Sequence, residues 1–240
     1  MKIIFSPTKE FNLDNKINKN WNISDYTQNI INILKKLSDK ELKDNLKIND
    51  SILNKVKEYI SDFDTNKSYE ALYMYNGLSF RNLEASSLKD ESIDYLNKNL
   101  IILSTLYGPI SPNTRIKPYR LDFQSRLKIY NQSLNKYWKT PFNDAFSERE
   151  TILNLASDEF SGLLYRNKFN FIDFKFYEYD SKNDKLKSHS TISKKARGLM
   201  LRYLAYNKIE DLNLIKNFEY DNYEYSNESS PNNYIFIKNI

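Results

Sequence analysis

The chain has 240 residues, of which 40% are hydrophobic and 28% are charged, and this balance is typical of a globular protein. It contains no cysteine and one histidine, His189, which excludes disulfides, thiolate metal sites, iron–sulfur clusters and any site that needs two imidazoles. The net charge is +5, and the four glycines lie too far apart for a dinucleotide-binding motif or a P-loop.

The amino-terminal third is predicted to contain one strand followed by helices. The apolar run at residues 2–6 is typical of a short buried strand, which Pro7 ends. Helices are predicted where a capping residue precedes apolar side chains at helical spacing, and these caps are Ser24, Ser38 and Asp50. Residues 68–76 also have a helical pattern, with Gly77 as the expected C-cap.

The remaining two thirds alternate between helices and strands. Helices are predicted at residues 87–99, 132–147 with a break at Pro141, 157–164 and 191–207, and strands at residues 100–104, 151–156, 170–179 and 233–238. Residues 106–123 hold Gly108 and three prolines, which excludes a regular helix there. A long loop of this kind inside a compact domain is more often functional than idle.

The alternation predicts an α/β fold, with one compact domain over residues 1–240 and a mixed sheet surrounded by helices. We find neither a linker nor an internal repeat. No apolar run approaches the roughly 20 residues that span a bilayer, and the mean hydropathy is −0.70. The first residues lack the form of a secretory signal, so we expect a cytoplasmic protein that does not bind membranes.

Positive charge is concentrated in two segments. Residues 113–139 carry seven basic side chains against one acid, and residues 191–208 carry five against none, so the rest of the chain is acidic. Such a distribution favours a binding site for a polyanion. The alternative is that these lysines and arginines merely solvate helix faces.

Three short motifs contain residues suited to anion binding or catalysis. In NLASDEF, Ser157 and the acids after it are typical of a helix N-terminus, so helix capping explains them. Capping does not explain the polar Asn154 inside an apolar strand. The strand-to-helix junction is also where α/β proteins bind anions, and Glu159 follows it. In PYR, Arg120 can pair with an acid or bind phosphate in its fork geometry. In the last predicted helix, Gly198 requires the close approach of a backbone or a ligand.

Four segments together resemble the YaaA-type peroxide stress proteins of bacteria, over essentially the whole chain. They are SPTKEF at residues 6–11, LSTLYGPISPNTRIKPYRLDF at 103–123, NLASDEF at 154–160 and SKKARGLMLRYL at 193–204. The resemblance implies a cytosolic protein linked to survival of hydrogen peroxide. It also implies an uncommon α/β fold with a basic cleft, a helix-hairpin-helix-like element and binding to duplex DNA, but no established reaction.

The resemblance also implies which residues form the site. The matching positions are Lys9, Tyr107, Gly108, Pro112, Pro118, Tyr119, Arg120, Asn154, Ser157, Glu159, Lys194, Lys195, Arg197, Gly198 and Arg202. The chain departs from the family at Thr105, where the family often has glycine. Glycines let a hairpin bring its backbone N–H groups close to phosphate. Thr105 therefore argues against this contact, although Gly108 remains in the turn.

Two functions fit these residues. The first is non-specific binding of duplex DNA by Lys9, Arg120, Lys194, Lys195, Arg197 and Arg202, with Asn154, Ser157 and the Tyr107–Pro112 turn close to phosphates. The second is an enzyme for a nucleotide or phosphorylated small molecule, with Glu159 as acid/base and Tyr119 or Lys9 assisting. No cofactor or metal is predicted, and His189 has no motif around it. We predict that Lys9, Arg120, Glu159 and Arg197 converge. The reaction, any sequence preference and the oligomeric state stay open.

Overall fold

The computed structural model describes residues 1–14, 17–18 and 23–240. The strands are β1 (Lys2–Phe5), β2 (Ile17–Asn18), β3 (Lys67–Glu70), β4 (Leu100–Ser104), β5 (Gly108–Ile110), β6 (Arg115–Ile116), β7 (Lys128–Ile129), β8 (Gln132–Ser133), β9 (Thr151–Leu155), β10 (Asn170–Asp180), β11 (Lys185–Lys187), β12 (Tyr223–Tyr225) and β13 (Asn233–Asn239). The α-helices are α1 (Asp25–Leu34), α2 (Asp39–Leu46), α3 (Asp50–Asp62), α4 (Ala71–Met74), α5 (Leu78–Leu83), α6 (Asp90–Asn99), α7 (Leu134–Asp144), α8 (Asp158–Ser161) and α9 (Ser190–Tyr206).

The main sheet has the strand order β12-β13-β10-β9-β1-β4-β5, with β11 added beside β10. The strands from β13 to β4 are parallel, whereas β12, β5 and β11 pair antiparallel at the margins. This is the mixed α/β sheet that the sequence predicts. Because the central strands are parallel, their carboxyl ends meet at one edge of the sheet, which is where α/β proteins place their sites.

The centre of the sheet is covered on both faces. Ile3, Ile4 and Phe5 of β1 are at most 1% exposed, although successive side chains of a strand point to opposite faces. The Phe5 ring packs edge-on against Phe80 of α5, with ring centroids 5.2 Å apart. Helix α9 packs on α5, α6 and β10, so these helices bury one face of the sheet.

Most predicted elements are confirmed at or near their predicted bounds. Ser24 and Ser38 cap α1 and α2 through hydrogen bonds to the backbone of Thr27 and Glu41, as their side chains suggest. The third helix begins at Asp50, with Asn49 instead of Asp50 as its N-cap. The strands predicted at residues 100–104, 151–156, 170–179 and 233–238 correspond to β4, β9, β10 and β13.

Two predictions are wrong. Residues 68–76 form strand β3 and the short helix α4, because Tyr69 pairs with Ile116 across the chain, and Gly77 is the N-cap of α5 instead of a C-cap. Helix α7 also continues through Pro141 without the predicted break. Trp138 and Phe142, one turn apart and both buried, fix this helix on the core although Pro141 has no N–H to donate.

The sequence LSTLYGP forms a tight hairpin between β4 and β5. Thr105 is buried, and its hydroxyl donates to the Leu121 carbonyl at 2.8 Å. Gly108 has a positive φ of 76° and lies against the indole of Trp138, whose Nε1 donates to the Thr105 carbonyl at 2.7 Å. The hairpin is therefore held inside the protein by its own side chains.

Helices α2 and α3 form a pair joined by a very short turn. Lys47 ends α2 in the left-handed conformation with φ 53° and ψ 48°, Ile48 is buried, and Asn49 caps α3. The Asn49 side chain makes no capping bond, so the first N–H groups of α3 receive none from it. The pair is fixed at its other end by Lys117, whose buried ammonium donates to the carbonyls of Asp62, Phe63 and Thr65.

Gly198 allows the close contact between α9 and α5. A β-carbon at this position would lie 2.1 Å from the Ser79 carbonyl oxygen and 2.8 Å from the Asn82 β-carbon. Of the two alternatives for Gly198, a close backbone or a close ligand, the structure shows the first, and α5 supplies it.

We expect Gly198→Ala to lower the free energy of unfolding, because the two helices must move apart. Overpacking of this kind costs about 1–3 kcal/mol, more than the ~1 kcal/mol that alanine gains over glycine in a helix. Urea unfolding of both proteins measures the difference, with the exposed Lys98→Ala as control. An equally stable Gly198→Ala protein would show that the contact can relax without loss.

None of the helices in the described part of the chain has both the length and the apolar character that a transmembrane segment needs.

Candidate functional site

A cavity of about 560 Å³ lies at the carboxyl edge of the sheet, beyond the ends of β1 and β9. Five segments of chain line it: residues 5–10 after β1, residues 77–81 at the start of α5, residues 119–122, residues 155–160 around the start of α8, and one face of α9. Its volume is within the range of about 300–1,000 Å³ that is typical of small-molecule sites.

Charged side chains of both signs line the cavity. Four of these side chains form two ion pairs. Lys9 Nζ lies 2.6 Å from Asp122 Oδ2, and Arg81 Nη1 lies 2.6 Å from Glu10 Oε2. The side chains of Lys9 and Arg81 are each 47% exposed, so both ion pairs lie at the mouth of the cavity. Exposed ion pairs contribute little free energy, so an incoming ligand could replace either carboxylate at low cost.

Helix α9 presents Thr191, Lys194 and Arg197 to the cavity. These residues are three apart in sequence, which places them along one face of the helix. Lys194 is exposed, whereas Arg197 is half-buried. Arg197 Nε is buried and has no hydrogen-bond partner among the residues that the structure describes. Burial lowers the pKa of the Arg197 guanidinium, and the nearby Asp158 carboxylate opposes that shift.

The junction between β9 and α8 meets the turn after β1. The Ser157 backbone N–H donates to the Ser6 hydroxyl at 2.8 Å, and the two hydroxyl oxygens are 3.2 Å apart. Glu159 is exposed to the cavity, and its Oε1 accepts from the Phe123 backbone N–H at 3.1 Å. The carboxylate of Glu159 is therefore held in place while its second oxygen is available to a ligand.

Apolar and aromatic side chains make up the rest of the wall, including Phe5, Leu78, Phe80 and Leu155. Tyr119 also lines the cavity, but its hydroxyl is bonded to the hydroxyls of Tyr75 and Ser104 at 3.0 and 2.9 Å. Burial raises the pKa of Tyr119, so its phenol stays protonated at neutral pH. In the hypothesis of an enzyme, Tyr119 assists catalysis. A protonated phenol could do so only by donating a hydrogen bond.

The chain was then compared with known proteins. The sequence profile described as peroxide stress protein YaaA matches residues 1–229. The chain belongs to the YaaA peroxide stress protein family. It is 38% identical to a UPF0246 protein of Fusobacterium nucleatum over 250 residues, which cover 99% of both chains. It is 36% identical to a UPF0246 protein of Malacoplasma penetrans, with 99% of both chains covered, and 34% identical to one of Streptococcus gordonii, covering 100% of this chain and 99% of that one.

The cavity gathers several of the residues that the family resemblance implies. Lys9, Glu159 and Arg197 line it together, as predicted, and Arg120 does not. Ser157, Tyr119 and Lys194 also line it. In this YaaA-family protein, therefore, the motifs at both ends of the chain and the NLASDEF motif contribute to a single site.

Three other candidate residues are buried away from the cavity lining. Tyr107 is 7% exposed, and its hydroxyl bonds to the backbone of Lys117. Gly108 lies under Trp138 in the β4–β5 hairpin. The Asn154 amide donates to the Asp173 carboxylate at 2.7 Å and accepts from the Ala156 backbone N–H. Each of these side chains has a structural partner inside the protein.

The basic candidates outside the cavity lie on other surfaces. Arg120 is half-buried, and its neighbours Tyr119 and Leu121 line the cavity in its place. Lys195 pairs with Asp221 at 2.9 Å on another face of α9. Arg202 donates to the carbonyls of Leu83 and Glu84, which caps the end of α5. The basic segment at residues 113–139 supplies none of the lining cations.

Three of the charged lining residues, Glu10, Arg81 and Asp122, were not predicted to belong to the site. Arg81 had a usable signal, because arginine is scarce in this chain and Arg81 follows Gly77 closely in NGLSFR. The roles of Glu10 and Asp122 depend on partners 71 and 113 residues away, which no local pattern shows.

No group of three or more histidine, aspartate or glutamate side chains within the described residues is arranged to hold a metal ion. His189 is exposed at the N-cap position of α9 and makes no capping bond there.

Proposed function

We propose that this YaaA-family protein acts in the bacterial response to peroxide by binding duplex DNA in the cytoplasm, mainly through phosphate contacts. The observation that carries the proposal is the α2–α3 pair. We take this pair, two helices joined by a left-handed residue and a buried apolar residue, as the helix-hairpin-helix-like element that the family resemblance implies. In such an arrangement the first N–H groups of the second helix face a DNA phosphate.

Charge next to this turn supports the proposal. Lys47 is exposed in the turn, and the Arg126 backbone N–H and the Ser125 hydroxyl both bond to the Asn45 carbonyl at 2.8 Å. Exposed Arg126 and Lys128 therefore lie beside the end of α2. The same stretch of chain begins at Asp122, which lines the cavity mouth. We place the DNA-binding surface from the α2–α3 turn along Arg126 and Lys128 towards Lys9 and Lys194.

One acid at the start of α3 is compensated by a nearby lysine. Asp50, the first residue of α3, is bonded to Lys43 at 2.8 Å, so its carboxylate is compensated beside the turn. A phosphate approaching the α3 N-terminus meets this neutral pair and the Lys47 ammonium. The turn does not present a row of side chains that could hydrogen-bond to base edges, which favours DNA binding without strong sequence preference.

We expect duplex DNA to bind with an affinity that falls steeply with salt. With four to six phosphate contacts, the slope of log K against log salt is about −4 to −5. The double variant Lys47→Gly/Lys194→Ala should flatten this slope by roughly two units, because each lost contact removes about 0.9. Glycine suits the left-handed position of Lys47, so the turn is kept. Fluorescence anisotropy with two unrelated duplexes measures both the slope and the sequence preference.

The matched control is Lys98→Ala, which removes an exposed lysine from the opposite edge of the sheet, just before β4. It should leave the slope unchanged. If the natural protein shows no affinity for duplex DNA at about 50 mM salt, the proposed function is wrong. An equal slope for all three proteins would mean that DNA is bound elsewhere on the surface.

A further inference from the structure

The strongest unexplained feature of the cavity is the Arg197 side chain. Lys9 and Arg81 each have a carboxylate partner at 2.6 Å, whereas Arg197 Nε is buried without a hydrogen-bond partner in the described part of the chain. A desolvated cation that lacks a close partner destabilises the free protein. An anion that entered the cavity and bonded to this guanidinium would remove that cost.

Lys194 supplies a second positive charge on the same face of α9, one turn before Arg197. It is exposed at the cavity. A guanidinium fork and a mobile ammonium suit a phosphoryl group, which offers three acceptor oxygens and a charge of about −1.5 to −2.

The rest of the cavity does not suit inorganic phosphate alone. Pro7 and Leu78 are half-buried and present apolar surface, and Glu159 presents a carboxylate oxygen that would repel a small anion. An apolar wall matches a planar ring, and a fixed carboxylate matches a hydroxyl or amino donor. The ligand therefore carries a ring and hydrogen-bond donors as well as a phosphoryl group.

We infer that the cavity binds one nucleoside monophosphate, with the phosphoryl group on Arg197 and Lys194, the ring on the apolar wall and a donor on Glu159. This site is distinct from the α2–α3 turn but shares Lys194 with the proposed DNA-binding surface, so Arg197 is the residue varied to test it. A duplex cannot enter a cavity of about 560 Å³, whereas a mononucleotide fits within it.

Isothermal titration calorimetry on the full chain tests the inference, with AMP and GMP as probes and adenosine, guanosine and inorganic phosphate as comparisons. We expect one site per chain and at least tenfold weaker binding of each comparison compound. Arg197→Met should weaken nucleotide binding by about tenfold to a hundredfold, the effect of losing a charge-assisted pair. Lys98→Ala is the control and should bind as the natural protein does.

Two further results separate a ligand-binding role from a structural one. Arg197→Met should raise the melting temperature of the ligand-free protein by a few degrees, because it removes a half-buried charge whose Nε has no hydrogen-bond partner in the described part of the chain. Glu159→Gln should strengthen binding of inorganic phosphate while lowering the preference for the nucleotide over phosphate. Arg197→Lys keeps the charge without the fork, so its affinity should be intermediate, and it serves if Arg197→Met does not fold.

The inference is overturned if inorganic phosphate binds as tightly as AMP and GMP, if Arg197→Met and Arg197→Lys leave nucleotide affinity unchanged, or if only duplex DNA binds. Nucleotide binding without DNA binding would refute the proposed function and leave this inference standing. The two proposals therefore fail on different measurements.

Discussion

Gly108→Ala should lower the free energy of unfolding by about 2–5 kcal/mol, since two costs add: about 1–2 kcal/mol for a left-handed alanine and about 1–3 kcal/mol for overpacking. The new methyl group would lie 2.4 Å from the Trp138 ring. That ring cannot move freely, because Trp138 is 1% exposed and its indole donates to Thr105. Urea unfolding measures the loss.

A double-mutant cycle with Trp138→Leu checks the cause. Leucine leaves room for the new methyl group, so adding Gly108→Ala to Trp138→Leu should cost only the backbone part. Folded Gly108→Ala protein should bind DNA as the natural protein does. If the Gly108→Ala protein were stable but had lost its affinity for DNA, Gly108 would instead bind phosphate, as the family resemblance implies.

Lys117→Met should lower the free energy of unfolding by about 3–5 kcal/mol, the range for removing one member of a buried charged network. The Lys117 side chain is fully buried, and its ammonium donates to three carbonyls at the end of α3. Methionine keeps the length of the stem but donates nothing, so these carbonyls lose their donor. Lys128→Met, on an exposed lysine, is the control and should change stability by no more than about 0.5 kcal/mol.

The same lysine gives stability a pH dependence of known sign. Burial lowers the pKa of Lys117 from 10.5 to about 8, against the opposing effect of Asp62 and Asp64. Between these two values the unfolded chain holds a proton that the folded protein has lost, so the free energy of unfolding rises with pH. The stability gap between natural protein and Lys117→Met should therefore widen from pH 8 to pH 10. A gap that stays constant or narrows would mean that the folded amine keeps its proton over this range.

Elements with local signals could be predicted, and elements that depend on distant partners could not. Ser24 and Ser38 begin their helices because the capping bonds join residues three apart. Strand β3 was missed because Tyr69 pairs with Ile116, and nothing near Tyr69 in sequence shows that pairing. Pro141 was expected to break a helix, yet the burial of Trp138 and Phe142 outweighs the lost hydrogen bond.

The site was predictable to the extent that its residues lie in long motifs. Lys9, Ser157 and Arg197 were found in this way, and parallel strands bring them to one edge. The motifs do not show which way a side chain points. Residues 119–122 lie outside the helices and strands, and Tyr119, Leu121 and Asp122 line the cavity whereas Arg120 does not. Asn154 looked unexplained in an apolar strand because its partner, Asp173, belongs to the next strand of the sheet.

The position of β1 has a consequence for synthesis of the protein. This strand is made first, but its neighbours are Leu100–Ile102 on one side and Ile152–Leu155 on the other. At about 5–20 residues per second, roughly 8–30 s pass between translation of β1 and translation of its second partner. Until β4 is translated, the sequence KIIF has no strand to pair with, and until β9 is translated one of its edges is exposed to chaperones and to other nascent chains. Folding of the central sheet is therefore expected to be late, and slow production of residues 6–150 should increase aggregation of the nascent chain.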